Sequence, residues 1–264
     1  RGYENGKNFT TREKFQPTMF IPSKKKTKYK TLDGKYVQSI QPGTVRETRD
    51  FIKQHGEVKG FDIYGNNRYI YQYISEKYPE TEIKFDINKI KLVTIDIEVK
   101  SEKGFPTVEA CDEEMLCITL QDYATKRILT FGVGPYHHND KMVKYVQCND
   151  EYDLLQHFVN FWSHDPPEVV TGWNCQLYDI PYLAKRITRV LGDKACKKLS
   201  PWGLVTHEEI YMQGRAHTVY DIGGVTVLDY LDLYKKFTYK AQESYRLDYI
   251  GEVELGQKKL DHSE

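Results

Sequence analysis

No run of about 18 apolar residues occurs in the chain, and its start lacks the basic head, apolar stretch and small-residue cleavage site of a signal peptide. Both absences lead us to expect a soluble, intracellular protein without a membrane partner. Net charge is also lacking: Lys plus Arg and Asp plus Glu each total 38. A global positive field is therefore excluded, and any nucleic-acid contact has to come from local patches. Cysteine is sparse. Cys111, Cys117, Cys148, Cys175 and Cys196 are odd in number and form no Cys-x-x-Cys pair, which argues against a zinc site and against a disulfide framework. There is no internal repeat, and the first residue, Arg1, is not an initiator methionine, so we expect a piece of a longer protein, cut at both ends.

What is present suffices for folding. A length of 264 residues with 39% hydrophobic content supports one sizeable core, or a large core with a smaller satellite. Residues 1–88 read as a small α+β domain: a basic run, Ser23 to Lys30, has the composition of a solvated loop or, less commonly, of a phosphate-contacting patch, and Val45, Phe51 and Ile52 predict a short amphipathic helix between Thr44 and His55 that Gly56 ends. From residue 89 to 264 the pattern changes to a second domain. Ile90 to Val99 is rich in β-branched residues and reads as a core strand; strand-like runs follow at Met115–Gln121, Arg127–Val133 and Val143–Cys148, most economically as a meander. Asn149 and Asp150 can cap a helix whose Leu155, Phe158, Val159 and Trp162 share one face. Pro166-Pro167 breaks that helix, Glu168–Thr171 supplies another strand, and Pro181 stands at the start of a second helix that Gly192 can close. Val225–Leu228 reads as a strand running into Asp229, with Tyr230–Phe237 helical. The fold class expected is α/β, α+β overall: a mixed sheet flanked by helices.

Asp96 and Glu98 lie one residue apart within a strand, so both project from one face while Ile95 and Ile97 point into the core. Adjacent carboxylates repel and raise one another's pKa unless a cation neutralises them. Hard cations such as Mg²⁺ or Mn²⁺ prefer such oxygen ligands. With 38 acids in the chain, an Asp-x-Glu pair also arises by chance. A third acid, Asp179, changes the balance: it follows Thr171-Gly172-Trp173-Asn174-Cys175-Gln176-Leu177-Tyr178 at the start of a helix, where it can cap the helix and bind metal at once.

Asp96-Ile97-Glu98 resembles the first exonuclease motif of family-B DNA polymerases, and Asn174-x-x-x-Tyr178-Asp179 resembles the second. The similarity to replicative polymerases of T-even-type bacteriophages extends over Asp96–Val99, Gly104-Phe105-Pro106, Thr171–Asn174, Leu228–Phe237 and Ser244-Tyr245-x-Leu247-Asp248-Tyr249-Ile250, and is thin before about residue 60. The resemblance implies a ribonuclease-H-like 3′-to-5′ proofreading exonuclease beside an N-terminal domain. Asp96, Glu98 and Asp179 would be catalytic residues that bind two divalent metal ions, Mg²⁺ or Mn²⁺. The substrate would be the single-stranded 3′ end of primer-template DNA, held by stacking and backbone contacts, with Phe105, Asn174, Tyr178, Lys235, Lys236 and Arg246 as candidate DNA-binding residues. It further implies a sliding clamp and replisome proteins as partners of the full-length protein, in the cytoplasm of a phage-infected bacterium.

The family completes its site with a third motif, Tyr followed by Asp at a spacing of four, and no such motif follows the Ser-Tyr-x-Leu segment here. None of Glu252, Glu254, Asp261 and Glu264 takes that place, so this piece is expected to be weakly active or inactive. Two other readings remain open: a free-standing exonuclease or ribonuclease of the same fold, and a nucleic-acid-binding module without chemistry. The bland readings of other groups are support for Asp229 and Asp232 at a strand-to-helix turn, and a loop for His137-His138.

Overall fold

The computed structural model describes residues 2–4, 7–79, 85–102, 104–212 and 214–258. The chain divides into two compact units, Arg1–Phe85 and Asp86–Glu264. In the first, β1 (Gly2–Glu4) and β2 (Lys7–Phe9) form a hairpin, while β3 (Met19–Pro22), β4 (Tyr29–Lys30) and β5 (Tyr36–Ile40) make an antiparallel sheet with β5 in the middle. The basic run follows β3 and its last two residues form β4; Lys24, Lys25 and Lys26, between the strands, are exposed. Helix α1 (Val45–His55) opens on a capping box in which Thr44 and Glu47 each take the other's backbone amide. Gly56 stops it in a right-handed conformation. Helix α2 (Tyr69–Lys77) buries Tyr69.

The second unit is built on six strands: β6 (Leu92–Val99), β7 (Met115–Asp122), β8 (Ile128–Val133), β9 (Val143–Cys148), β10 (Val169–Gly172) and, after the separate hairpin of β11 (Val205–Met212) and β12 (Arg215–Ile222), β13 (Thr226–Asp229). Their order across the sheet is β13-β10-β6-β7-β8-β9. β13, β10 and β6 are parallel, β6, β7 and β8 alternate in direction, and β9 runs parallel to β8. The meander expected over β6 to β9 therefore stops at β8. The connection over residues 134–142 can return to the same end of the sheet because a nine-residue extended segment reaches about 30 Å, against about 20 Å for a six-residue strand.

Period-two alternation puts Ile95, Ile97, Ile118, Leu120 and Phe131 on one face, all buried. Helix α3 (Glu151–His164), capped by Asp150 accepting from Asp153 N–H at 2.8 Å, packs Leu154, Leu155, Phe158, Val159 and Trp162 into the same core. Helix α4 (Asp179–Leu191) adds Ile180, Leu183 and Ile187, and Gly192, at φ 87°, ends it in a backbone conformation that glycine adopts freely. The short α5 (Asp193–Cys196) follows. Arg186 on α4 is buried and pairs with the buried Glu151 of α3, which also accepts from Met115 N–H at 2.8 Å. The first turn of α3 and the start of β7 are thereby tied to α4. Helices α6 (Tyr230–Phe237) and α7 (Leu247–Leu255) close the unit. The mixed sheet with flanking helices is the architecture expected of a ribonuclease-H-like domain. No helix among the described residues is long and apolar enough to cross a membrane.

Candidate functional site

β10 pairs with β6 only from Val169–Leu92 to Thr171–Thr94. Beyond that, β10 ends at Gly172, still paired with Asp229 of β13, at a place where no side chain fits: a Cβ there would lie 2.7 Å from Ile95 O. The neighbouring edge of β6 is thus left open over residues 96–98, and its Ile97 N–H donates instead to Asp179 Oδ1, at 3.1 Å. That bond brings α4 onto the strand between the two acids. Tyr178 occupies the N-cap position without a side-chain cap bond, and Asp179 is the first helical residue. Its carboxylate thus serves the sheet edge through Ile97 N–H and the helix start through its own backbone amide.

The turn that delivers Asp179 is held by another acid. Asp229 Oδ1 accepts from Asn174 N–H at 3.0 Å and Leu231 N–H at 2.9 Å, and Oδ2 accepts from Gln176 N–H at 2.9 Å. Asn174 sits at φ 63°, a left-handed conformation asparagine tolerates better than most residues, and its carbonyl accepts from Leu177 and Tyr178 N–H. The supporting role read for Asp229 is thereby seen in atoms. That it would clamp a turn 55 residues upstream carries no signal in sequence.

Asp96 and Glu98 are exposed on the face opposite the core, in register with Thr119 and Cys117 of β7. Asp179 is buried, with 5% of its surface exposed. Burial pushes its carboxyl up to about 7, the charge of Asp96 adds to the rise, and the Ile97 amide opposes it. The other charge acting on it, Asp229, is negative too. Tyr178 is pushed up to about 12, by burial and then by Asp179 and Glu98. Burial also raises the Cys117 thiol, with Glu98 and Asp96 adding. The three acids consequently share one strongly negative neighbourhood. Among the described residues no group of three His, Cys, Asp or Glu side chains stands close enough to hold a metal ion. The donor set nevertheless fits a hard divalent cation: it is all carboxylate oxygen, and a positive ion would relieve the repulsion that burial intensifies.

Phe105 is 79% exposed, and its ring lies 5.3 Å from that of Tyr178, which in turn lies 5.7 Å from Tyr182. Two of the candidate DNA-binding residues thus form one aromatic ledge beside Asp179. Asn174 contributes its backbone to the turn. Lys235, Lys236 and Arg246 are exposed around α6 and the start of α7, where Lys235 Nζ stands 4.9 Å from the centre of the Tyr245 ring. Sequence reasoning missed Trp173, which links this patch to the turn: its Nε1–H donates to Tyr245 O at 3.0 Å, and its ring lies 5.7 Å from Tyr234.

Residues 58–250 match the family described as DNA polymerase family B, exonuclease domain. The chain is 31% identical over 286 aligned residues to the DNA-directed DNA polymerase of Escherichia phage RB69, and 30% identical over 285 to that of Enterobacteria phage T4; each alignment covers 98% of this chain and 31% of the polymerase. A DNA polymerase of Archaeoglobus fulgidus is 24% identical over 197 residues, covering 70% of this chain and 24% of that protein. The chain thus spans about a third of the length of the phage relatives it matches. The extent of the family match, over the strands and helices that carry Asp96, Glu98 and Asp179, shows that this chain belongs to DNA polymerase family B, through its exonuclease domain.

Proposed function

We propose that Asp96, Glu98 and Asp179 are the catalytic acids of a 3′-to-5′ exonuclease that removes mispaired nucleotides from the primer strand in a replicative DNA-directed DNA polymerase. The observation that carries this reading is the seating of Asp179 on Ile97 N–H between the two strand acids, within the electrostatic reach of Asp96. In this reading residues 1–88 are the polymerase's N-terminal domain and residues 89–264 belong to its exonuclease domain.

The three carboxylates would hold two divalent cations, Mg²⁺ or Mn²⁺, which when bound supply an activated water and neutralise the leaving oxygen of a phosphodiester hydrolysis. The part of these three carboxylates is placement and charge. Asp96, from the middle of β6, and Asp179, from the first turn of α4, present oxygens from two elements joined by the bond from Ile97 N–H to Asp179 Oδ1. Glu98 extends the carboxylate row toward the end of β6. Phe105 and Tyr178 offer ring faces on which the terminal base of a single strand can stack, a contact that tolerates any base and so suits removal of whichever nucleotide is wrong. Lys235, Lys236 and Arg246 would meet backbone phosphates. The sliding clamp and replisome remain partners proposed for the full-length protein.

The test is release of the 3′-terminal nucleotide from an end-labelled single-stranded oligonucleotide. Release in Mg²⁺ or Mn²⁺ is expected to be weak or absent, and any release to disappear in Asp96→Ala. Release that continues in EDTA or in Asp96→Ala refutes the reading.

A further inference from the structure

The sheet face opposite Asp96 and Glu98 carries a second feature. Register places Leu120, Leu129 and Lys144 in one row across β7, β8 and β9, with Ile118, Phe131 and Val146 in the next. Lys144 therefore sits on the inner, apolar face, although β9 is an edge strand. Helix α3 covers the row of Ile118 and Phe131, but toward its last turn it leaves Phe161 44% exposed, and a groove of about 810 Å³ remains between α3 and the strands. That volume is of the size that holds a small ligand.

The floor of the groove is apolar, formed by Leu129, Val146 and Phe161 among others, and its rim is cationic. Two acids reach the rim, and both are engaged. Asp165 takes Lys91 Nζ at 2.7 Å, and Asp122 accepts from the amide and hydroxyl of Thr125, each at 2.7 Å. Arg127, Lys141 and Lys144 are exposed and, among the described residues, form no ion pair. An inward lysine on an edge strand serves by itself to discourage strand addition. Three cations around an apolar floor, in a chain whose formal charges sum to zero, call for a small polyanion with a flat apolar body. The guanidinium fork of Arg127 suits phosphate oxygens in particular.

We propose that this groove is a binding site for a nucleoside phosphate, with the base over Leu129 and Phe161 and the phosphates against Arg127, Lys141 and Lys144. The site is separate from the carboxylates and does not depend on the nuclease reading. Calorimetric titration of the chain with deoxyadenosine triphosphate in EDTA, which withholds divalent cations from the acids, should give saturable binding that weakens with salt. Arg127→Glu and Lys144→Glu should each lower the affinity roughly tenfold, because a charge-assisted hydrogen bond is replaced by repulsion. Phe161→Ala should also weaken it, and deoxyadenosine or inorganic phosphate alone should bind at least about tenfold less tightly. Competition by a single-stranded oligonucleotide would support the site and place its ligand within a strand; lack of competition would support it with a free nucleotide. No saturable binding, affinity unchanged in both charge reversals, or inorganic phosphate binding as tightly as the nucleotide would overturn the proposal.

Discussion

Replacing Asp179 with asparagine should make the metal-free protein more stable at pH 8 while removing its response to divalent cations. The native carboxyl, 5% exposed, is pushed from 3.8 to about 7 by burial, then by Asp96. The folded state therefore holds this proton to higher pH than the unfolded state does, and the contribution to stability falls as pH rises from about 4 to about 7, then levels. Fully ionised, the displaced carboxyl costs about 4 kcal/mol at 1.36 kcal/mol for each tenfold. Part of that is shared repulsion with Asp96, and an amide oxygen is a weaker acceptor than a carboxylate for Ile97 N–H, a loss of about 1 kcal/mol. A net gain of about 1–3 kcal/mol at pH 8 is expected, shrinking toward zero near pH 4. Urea unfolding in EDTA, followed by tryptophan fluorescence at pH 4.5 to 8 in steps of about one unit, reads this directly. Added Mn²⁺ should stabilise the native protein and leave Asp179→Asn nearly unmoved. An asparagine variant that is less stable at pH 8, or whose effect is the same across the pH range, would refute the reasoning.

Asp229→Ala strands three backbone amides in a partly buried turn and should cost about 3 kcal/mol in urea unfolding; a loss below about 0.5 kcal/mol would show that water replaces the carboxylate. Gly172→Ala puts a methyl 2.7 Å from Ile95 O and should destabilise by about 1–3 kcal/mol, with metal affinity falling alongside because the same turn seats Asp179. Phe105→Ala removes an exposed ring, so stability should change by less than about 0.5 kcal/mol. Single-strand affinity, read by fluorescence anisotropy, should fall about tenfold or more; unchanged affinity would remove Phe105 from the DNA path.

Where local rules decide, the sequence was readable. Tyr230–Phe237 and Val143–Cys148 fall at the bounds expected, because a capping Asp229 fixes the first and alternation of Val143, Tyr145 and the following residues with polar Lys144 and Gln147 marks the second. The alternation that puts Asp96 and Glu98 on one face is likewise local. The direction of β9 was not readable, since a nine-residue connection permits either pairing. The hairpin of β11 and β12 escaped notice because β11 is exposed along nearly its whole length, leaving no apolar periodicity to find. At the site, the residue types were visible and their joinery was not. The bond from Ile97 to Asp179 spans 82 residues, and that from Asn174 to Asp229 spans 55; each exists because one strand ends before its neighbour or because a turn meets a strand end, and neither follows from spacing.

The most direct measurement is a Mn²⁺ titration of the chain at pH 8, monitored by the electron paramagnetic resonance signal of the free ion. If the acids on β6 and the acid at the head of α4 act together, Mn²⁺ binds saturably, and Asp96→Asn, Glu98→Gln and Asp179→Asn each weaken binding by about tenfold or more. Binding that is absent, or that survives all three substitutions unchanged, contradicts a shared metal role for these carboxylates.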